Sequence, residues 1–364
     1  MPRVFSELRL GYLTLFAVAG CVFVVAAALG QTTLQQYFAI SFSGRMFPIW
    51  VLPPVLWLGG VAVQLALRRT RSPSYTLLRI ARRHRTWLFR GVVITLVALS
   101  LGPAFGAIKD AIPRIVPFYA DPYLIDLDRM IFGVDPWHIT HALLGPFATL
   151  LIDRIYSLWF FVMMGVLAWL AFTRDVKLQV RGLLAFNLSW ALLGNAMAIA
   201  LASVGPCFVH GTYGRTDFLP LMNKLDAIAA DISLNALWAM QYLEKVRGTE
   251  AIGGGISAMP SLHVAIAFLF WLICLDQLKS RVAKALAGAF AFAILIGSVH
   301  LGWHYAVDGL VSIVGVVLIW SGCGRFVDWV AAREARLAAG GQNESMQNAS
   351  APGTMVLTPA SSPG

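Results

Sequence analysis

The chain has 364 residues, of which 58% are apolar and 13% are charged, and its mean hydropathy is +0.72. Soluble domains carry about 25% charged residues, and uncharged stretches long enough to cross a bilayer recur along this sequence. Composition therefore excludes a water-soluble globule and an intrinsically disordered chain. The net charge of +10 would indicate a nucleic-acid partner in a soluble protein, so the location of those charges has to be determined.

The uncharged stretches predict eight transmembrane helices, and hence an all-α fold in the form of a polytopic transmembrane helix bundle. The predicted spans are 10–30, 46–67, 88–108, 155–173, 183–205, 261–278, 284–302 and 305–323. The stretch 136–152 is also uncharged, but its prolines and histidines favour a re-entrant or interfacial segment over a ninth span. From about residue 338 the chain is rich in Gly, Ser, Asn and Pro, which predicts a disordered tail.

A cluster of eight arginines between residues 68 and 90 orients the predicted helices. Lysine and arginine accumulate in cytoplasmic loops, so this loop is expected in the cytoplasm. The N- and C-termini then lie in the cytoplasm as well, together with most of the basic residues. The positive charge is thus explained by contact with anionic lipid, and no nucleic-acid partner is predicted.

Two outer segments, 109–154 and 206–260, are longer than ordinary connections between helices. The first alternates aromatic and aliphatic residues with Asp121, Asp126, Asp128 and Asp135. This pattern is typical of helices that lie in the headgroup plane. Simple packing over the outer face of the bundle is an equally good interpretation.

Four ionisable residues are predicted to lie at the same depth on the outer face, namely His263, His300, His304 and Asp308. Ionisable residues at the ends of transmembrane helices are costly and tend to mark sites. His304 and Asp308 are four residues apart, so on one helix the carboxylate would accept the imidazole N–H and fix its tautomer. A nucleophile with an orienting group is the arrangement used in covalent catalysis.

The sequence around His263, GGGISAMPSLHVA, combines glycines with Pro260 and Ser261 at the start of a helix. Free N–H groups at a helix N-terminus favour an anion. A phosphate at this position would meet backbone donors, the hydroxyl of Ser261 and an imidazole.

Zinc is an alternative, because His300, His304 and Asp308 could form a tridentate set. No glutamate lies between the two histidines as it does in a metalloprotease, and the sequence around His263 suits an anion. Phosphate chemistry is therefore favoured, with no metal and no other cofactor.

Two motifs carry a resemblance to a known family: MPSLHVA at 259–265 and SVHLGWHYAVD at 298–308. They resemble the second and third signature motifs of the type 2 phosphatidic acid phosphatase superfamily. The closer likeness is to its inositolphosphotransferase branch, which includes inositol phosphorylceramide synthase. The resemblance implies a six-helix catalytic core over 88–323, which follows two helices and a basic loop in 1–87 and precedes a disordered cytoplasmic tail, 324–364.

The resemblance also implies roles for three residues. His304 would be the nucleophile that takes the phosphoryl group, Asp308 would orient it, and His263 would protonate the leaving oxygen. A second step would pass the phosphoryl unit to water or to an acceptor hydroxyl.

The chain departs from the superfamily pattern at its basic residues. The first motif, K-x6-R-P, is absent from the end of the fifth predicted helix, and Gly297-Ser298 stands where the third motif has Ser-Arg. Another cation or donor must bind the phosphate. The outer-face candidates are Arg215, Lys224, Arg154 and His300, with His210 as a weaker one.

The function expected from these observations is phospho-headgroup transfer to a lipid hydroxyl, carried out at the outer face of a bacterial inner membrane. Release of phosphate to water is one alternative. A transporter or scaffold that keeps the fold without the chemistry is another, although such a protein has no need for a nucleophile with an orienting group. The expected partners are lipid substrates, and the sequence predicts no oligomeric state.

Overall fold

A computed structural model describes residues 5, 7–41, 47–247 and 254–350, and every regular element in these residues is helical. The predicted all-α fold is thereby confirmed. The helices are α1 (Arg9–Ser41), α2 (Phe47–Leu67), α3 (Pro73–Arg83), α4 (Arg85–Ile115), α5 (Asp121–Phe132), α6 (Pro136–Leu143), α7 (Pro146–Phe172), α8 (Val176–Leu188), α9 (Ala198–Ala200), α10 (Val209–Tyr213), α11 (Leu219–Asp231), α12 (Asn235–Val246), α13 (Leu262–Gln277), α14 (Arg281–His300) and α15 (Ala306–Ser350). A π-helical segment, Ser189–Met197, joins α8 to α9, and a 3₁₀ turn, Pro206–Phe208, precedes α10.

Six of the described helical segments are long and apolar enough to cross a membrane. They are Arg9–Gly30, Arg85–Ile115, Pro146–Phe172, Val176–Ala200, Arg281–His300 and Ala306–Gly340. The other two predicted spans coincide with shorter apolar helices, Val55–Leu67 and Leu262–Gln277. These helices fit a multi-pass integral membrane protein.

Helix α13 lies inside the bundle, where it packs against α14, α15 and α7. All residues from Val264 to Phe270 are buried, as expected for a helix that is apolar on every side. Surrounding helices therefore fix the position of its N-terminal end, which carries His263.

Helix α4 is longer than the span predicted from charge. The prediction ended at residue 108, but the helix continues through Lys109 and Asp110 to Ile115. Charged residues interrupt an uncharged run without ending a helix, because their helix propensities are close to those of apolar residues. As a result, Lys109 lies on a membrane helix and not in a loop.

Helix α7 begins at Pro146, so the predicted re-entrant segment 136–152 divides into two parts. Its first half forms the short helix α6, and its second half is the start of a membrane helix. Proline fits the first turn of a helix, where its missing N–H has no partner to lose. Two charged residues follow in α7, Asp153 and Arg154, and they pair with each other at 2.6 Å.

Helix α15 runs on to Ser350, whereas composition predicts a disordered tail from about residue 338. The stretch AAREARLAA at 331–339 consists of strong helix formers, which explains the continuation. Residues 351–364 lie outside the described part of the chain.

At one end of the bundle, the connections between helices bind one another through their backbones. The N–H of Ala258 donates to the carbonyl oxygen of Ser203 at 3.0 Å, and the N–H of Cys207 donates to that of Gly302 at 3.0 Å. The segments after α9, before α13 and after α14 therefore meet at this end.

Asp121, at the start of α5, holds these connections together from a fully buried position. Its carboxylate accepts the backbone N–H groups of Val204 and Gly205, each at 2.9 Å. It also accepts the phenol hydroxyls of Tyr213 and Tyr305, again at 2.9 Å. One side chain from the long segment 109–154 thus fixes three other segments.

Two further aspartates cap helices at the same end. Asp128 accepts the first two N–H groups of α15 at 2.8 and 2.9 Å. Asp153 accepts the first two N–H groups of α12 at 3.0 and 2.8 Å. Carboxylates at these positions satisfy backbone donors that a helix N-terminus leaves without partners.

Replacing Asp121 by alanine is expected to destabilise the protein by roughly 3 kcal/mol or more, because four donors, three of them in buried hydrogen bonds, lose their shared acceptor. Asp126→Ala is the matched control, since Asp126 lies on the same helix and is exposed. The measurement is thermal unfolding of the detergent-purified variants. Equal melting temperatures for the two variants would contradict the role assigned to Asp121.

Candidate active site

A cavity of about 460 Å³ lies at the end of the bundle where these connections meet. Both His263 and His304 line it, and their ring centroids are 6.4 Å apart. His263 is the second residue of α13, and His304 lies in the turn between α14 and α15. The structure thus brings together two of the histidines that the sequence places at one depth.

His304 is paired with Asp308, as the spacing predicts. Its Nδ1 lies 3.3 Å from Oδ2 of Asp308, and the same oxygen accepts the N–H of Tyr305 at 3.1 Å. The histidine precedes α15, which begins at Ala306, so the pair is formed across a helix N-terminus and not along a helix. A proton on Nδ1 that is held by the carboxylate leaves the lone pair on Nε2.

Burial lowers the pKa of His304 to about 3, and the positive charge of Lys109 acts in the same direction. A backbone hydrogen bond with Ala258 opposes this shift. The imidazole is therefore neutral at physiological pH, which is the form of histidine that can act as a nucleophile.

His263 lies between two aromatic rings of α7. Its ring stacks on Tyr156 with a centroid distance of 5.0 Å and an interplanar angle of 19°, and it lies 4.2 Å from the ring of Trp159. Trp159 also donates its indole N–H to the carbonyl oxygen of His263 at 3.0 Å. None of the described residues forms a hydrogen bond with its ring nitrogens, so these nitrogens are available to a molecule in the cavity.

Ser261 is the N-cap of α13 and is fully buried. Its hydroxyl accepts the N–H of Val264 at 3.5 Å, and its own N–H donates to the carbonyl oxygen of Asp308 at 3.4 Å. The described lining of the cavity includes its neighbours Pro260 and Leu262 but not Ser261. In the structure this residue connects the two motifs.

His300 faces away from the cavity. Its Nε2 lies 2.9 Å from the hydroxyl of Thr149, and its Nδ1 lies 3.0 Å from that of Thr140. The ring stacks on His141 with a centroid distance of 3.8 Å. Both ring nitrogens therefore already have partners.

The two predicted arginines form ion pairs and do not line the cavity. Arg154 contacts Asp153 at 2.6 Å, and Arg215 contacts Asp217 at 2.8 Å. Hydrogen bonds from Arg215 hold the pKa of Asp217 well below its usual range, which reflects a strong pair. Neither arginine belongs to the described lining.

Lys224 and His210 also lie apart from the two cavity histidines. The ammonium group of Lys224 donates to the carbonyl oxygen of His141 at 3.4 Å. His210 is exposed, and its Nδ1 lies 3.1 Å from the carbonyl oxygen of Arg215. The structure thus places the predicted cations around the cavity end but not in the cavity.

The cavity lining includes a cation that the sequence analysis did not select, Lys109 of α4. It also includes Tyr156 and Trp303, whose hydroxyl and indole N–H are buried without a partner among the described residues. Lys109 directly follows an apolar run, and this position is the signal that could have identified it.

Most of the remaining lining is aromatic or aliphatic. The side chains include Phe105, Phe160, Trp190, Phe208 and Leu243. A site with a few polar groups in an apolar wall is typical of a pocket for a small molecule or a lipid.

In the part of the chain that the structure describes, no three His, Cys, Asp or Glu side chains are close enough to hold a metal ion. His300, His304 and Asp308 do not form the tridentate zinc set that their spacing allows, because the ring of His300 is hydrogen-bonded to Thr140 and Thr149. What the cavity presents is a neutral imidazole with an orienting carboxylate, a second imidazole and an ammonium group.

A family model described as PAP2 superfamily matches residues 122–322, which is more than half of the chain. The matched region contains α5 to α14 and the first part of α15, and hence His263, His304 and Asp308. No curated protein and no solved structure matches the sequence. The chain belongs to the PAP2 superfamily.

Proposed function

We propose that this protein transfers a phospho-headgroup to a lipid hydroxyl, with His304 as nucleophile, Asp308 as its orienting group and His263 as the acid and base. The observation that carries the proposal is the His304–Asp308 pair in the wall of a cavity that His263 also lines. Superfamily membership supports it, because it suggests lipid phosphatase or phosphotransferase chemistry. The inositolphosphotransferase-like branch is part of the proposal and rests on the PSLH and HY-x-x-D sequences.

In the first step, Nε2 of His304 attacks the phosphorus atom of the donor lipid. A P–N bond forms, and the P–O bond to the leaving group breaks. A bound phosphate carries negative charge, which favours the imidazolium form of the nearby His263. That imidazolium gives its proton to the leaving oxygen, while Asp308 stabilises the positive charge that develops on His304.

In the second step, an acceptor hydroxyl attacks the phosphohistidine. His263, now neutral, takes the proton of the acceptor, and the P–N bond breaks to release His304. The pair of histidines thus returns to its starting state after each cycle, and no metal takes part.

Transfer and hydrolysis differ only in the acceptor of the second step. The apolar wall around the histidines favours a lipid hydroxyl, because it limits the access of water. Hydrolysis is the second candidate, since Ser157 and Asn235, both exposed, belong to the same lining and offer a polar route into the cavity.

The proposed route for the lipid lies between α7 and α12. Phe160 of α7 lines the cavity and is 42% exposed, and Trp238 of α12 is 70% exposed. Large apolar side chains exposed at this position suit contact with acyl chains. A headgroup could then reach the histidines while its tail remains in the bilayer.

We place the cavity on the extracytoplasmic side, in accordance with the distribution of arginine. Helix α3 carries Arg79, Arg82 and Arg83 and has no buried residue. Helix α4 starts directly after it and runs for 31 residues to the cavity end, a rise of roughly 46 Å. If the arginine-rich helix faces anionic lipid in the cytoplasm, the cavity faces the opposite side. A bacterial inner membrane fits this arrangement.

Replacing His304 by alanine is expected to lower lipid phosphotransfer by on the order of 10³-fold or more, because the nucleophile is lost. The assay incubates purified protein with mixed phospholipids, with and without ceramide or diacylglycerol, and identifies products by mass. A new headgroup lipid indicates transfer, and free phosphate indicates hydrolysis. His138→Ala is the control, since His138 is exposed and outside the cavity lining.

Activity of the alanine variant within a few-fold of the parent would refute the nucleophile assignment. Absence of both products from the parent protein would contradict the enzyme proposal and support a transporter or scaffold.

Strong chelation is expected to leave most of the activity intact, because the proposed steps use only imidazole and carboxylate groups. The measurement compares initial rates before and after dialysis against excess EDTA. Inactivation that added zinc restores would favour a metal site in place of the phosphohistidine mechanism.

A further inference from the structure

A phosphate group that reacts in this cavity needs a positive charge close to it, since an anion leaves water only when charge-assisted hydrogen bonds replace its hydration. Within the described lining, Lys109 is the single lysine or arginine. The inference that follows rests on the proposed function and names a residue that would bind the substrate.

We propose that Lys109 binds the phosphate oxygens of the lipid headgroup, together with the hydroxyl of Tyr156 and the indole N–H of Trp303. The three donors come from α4, α7 and the turn that carries His304. They lie in the lining of the same cavity as both histidines.

The ammonium group of Lys109 has no hydrogen-bond or ion-pair partner among the described residues. It lies 5.8 Å from the ring centroid of Phe105. Holding a cation in a partly buried, largely aromatic cavity is costly without an anion. The neighbouring Asp110 acts on Lys109 electrostatically, and a phosphate group bound there would add a direct hydrogen-bond partner.

The acidic group in the same lining is already neutralised. Asp153 accepts two N–H groups at the start of α12 and pairs with Arg154 at 2.6 Å. It therefore competes little with a substrate for Lys109.

Two neutral hydrogen-bond donors in the cavity wall also lack partners. The Tyr156 hydroxyl and the Trp303 indole N–H are both buried and have no partner in the described structure. Buried polar groups without partners are uncommon and need an explanation. Tyr156 stacks on His263, and Trp303 directly precedes His304, so an anion between the histidines would be within reach of both donors.

Helix α4 is held in close contact with the segment that leads to His263. A Cβ atom on Gly255 would lie 2.8 Å from the backbone carbonyl carbon of Lys109 and 2.6 Å from a carboxylate oxygen of Asp110. Only glycine permits so close an approach. The segment that leads to His263 thus rests directly on the helix turn that carries Lys109.

Electrostatics agree with this geometry. The charge of Lys109 contributes to the lowered pKa of His304, after the larger effect of burial. Lys109 therefore acts on the proposed nucleophile through space, as a cation beside the reacting phosphate would.

The test uses Lys109→Met, which removes the charge at similar volume, and Lys109→Arg, which keeps it. Calorimetry measures the affinity of the purified protein for inorganic orthovanadate, a mimic of the phosphoryl-transfer transition state. In a second arm, steady-state kinetics measure KM for the donor lipid. Lys109→Met is expected to weaken vanadate binding by about 10- to 100-fold and to raise KM, and Lys109→Arg to retain most of the affinity.

Lys245→Met is the matched control, because Lys245 is exposed on α12 and lies outside the cavity lining. It is expected to bind vanadate as the parent does. Unchanged vanadate affinity in Lys109→Met would overturn the proposal, even if lipid turnover falls. A loss of vanadate affinity in Lys224→Met but not in Lys109→Met would overturn it too. If Lys109→Met does not fold, a large loss of affinity in the folded Lys109→Arg, which keeps the charge, would also overturn it.

The two proposals fail separately. Vanadate affinity that depends on Lys109, without any lipid product from the parent, would leave the anion site intact and contradict the proposed function. Activity that requires His304 but is unaffected by Lys109→Met would support the proposed function and contradict the role of Lys109.

Discussion

Buried polar groups need hydrogen-bond partners inside a bundle that holds no bulk water, and this constraint organises one end of the protein. Asp121, Asp128 and Asp153 meet it in the same way, since each carboxylate accepts two backbone N–H groups of another segment. The start of α15, just after His304, is held by Asp128, and Asp121 holds the adjacent Tyr305 through its hydroxyl. These three aspartates therefore hold the connections between helices in place.

Several buried polar atoms of the described residues have no partner, and some of them lie in the wall of the cavity. Lys109, Tyr156 and Trp303 have polar atoms that bond to no described residue, and all three line the cavity of His263 and His304. An anion in the cavity would give these three groups the partners that they lack. The phosphate site that we propose depends on these unpaired groups in the cavity wall.

Much of the fold could be predicted from the sequence, because apolar runs and the helix period determine which segments cross the membrane. The pairing of His304 with Asp308 and their closeness to His263 also followed, since the topology brings the ends of α13, α14 and α15 together. The cation in the cavity did not follow. A charge count ended the third span at residue 108, and only the continuation of α4 to Ile115 places Lys109 beside the histidines.

The partners of the other predicted cations and of His300 could not be predicted from the sequence either. Arg154 and Arg215 have the charge that a phosphate needs, but the aspartates that neutralise them are recognisable only in three dimensions. His300 ends α14 close in sequence to His304, yet its ring is directed at Thr140 and Thr149. The direction in which a side chain faces around the helix axis decides whether it lines a cavity or packs against a neighbouring helix. Sequence spacing within one helical turn does not determine that direction.

The central claim is that a phosphoryl group passes through His304. The most direct measurement is to quench a reaction with labelled donor lipid within its first turnover and to map the label on the protein by mass spectrometry. The account predicts a phosphoramidate, stable to alkali and labile to acid, on the peptide that contains His304. A labelled product without any labelled protein, or a label on another residue, would contradict it.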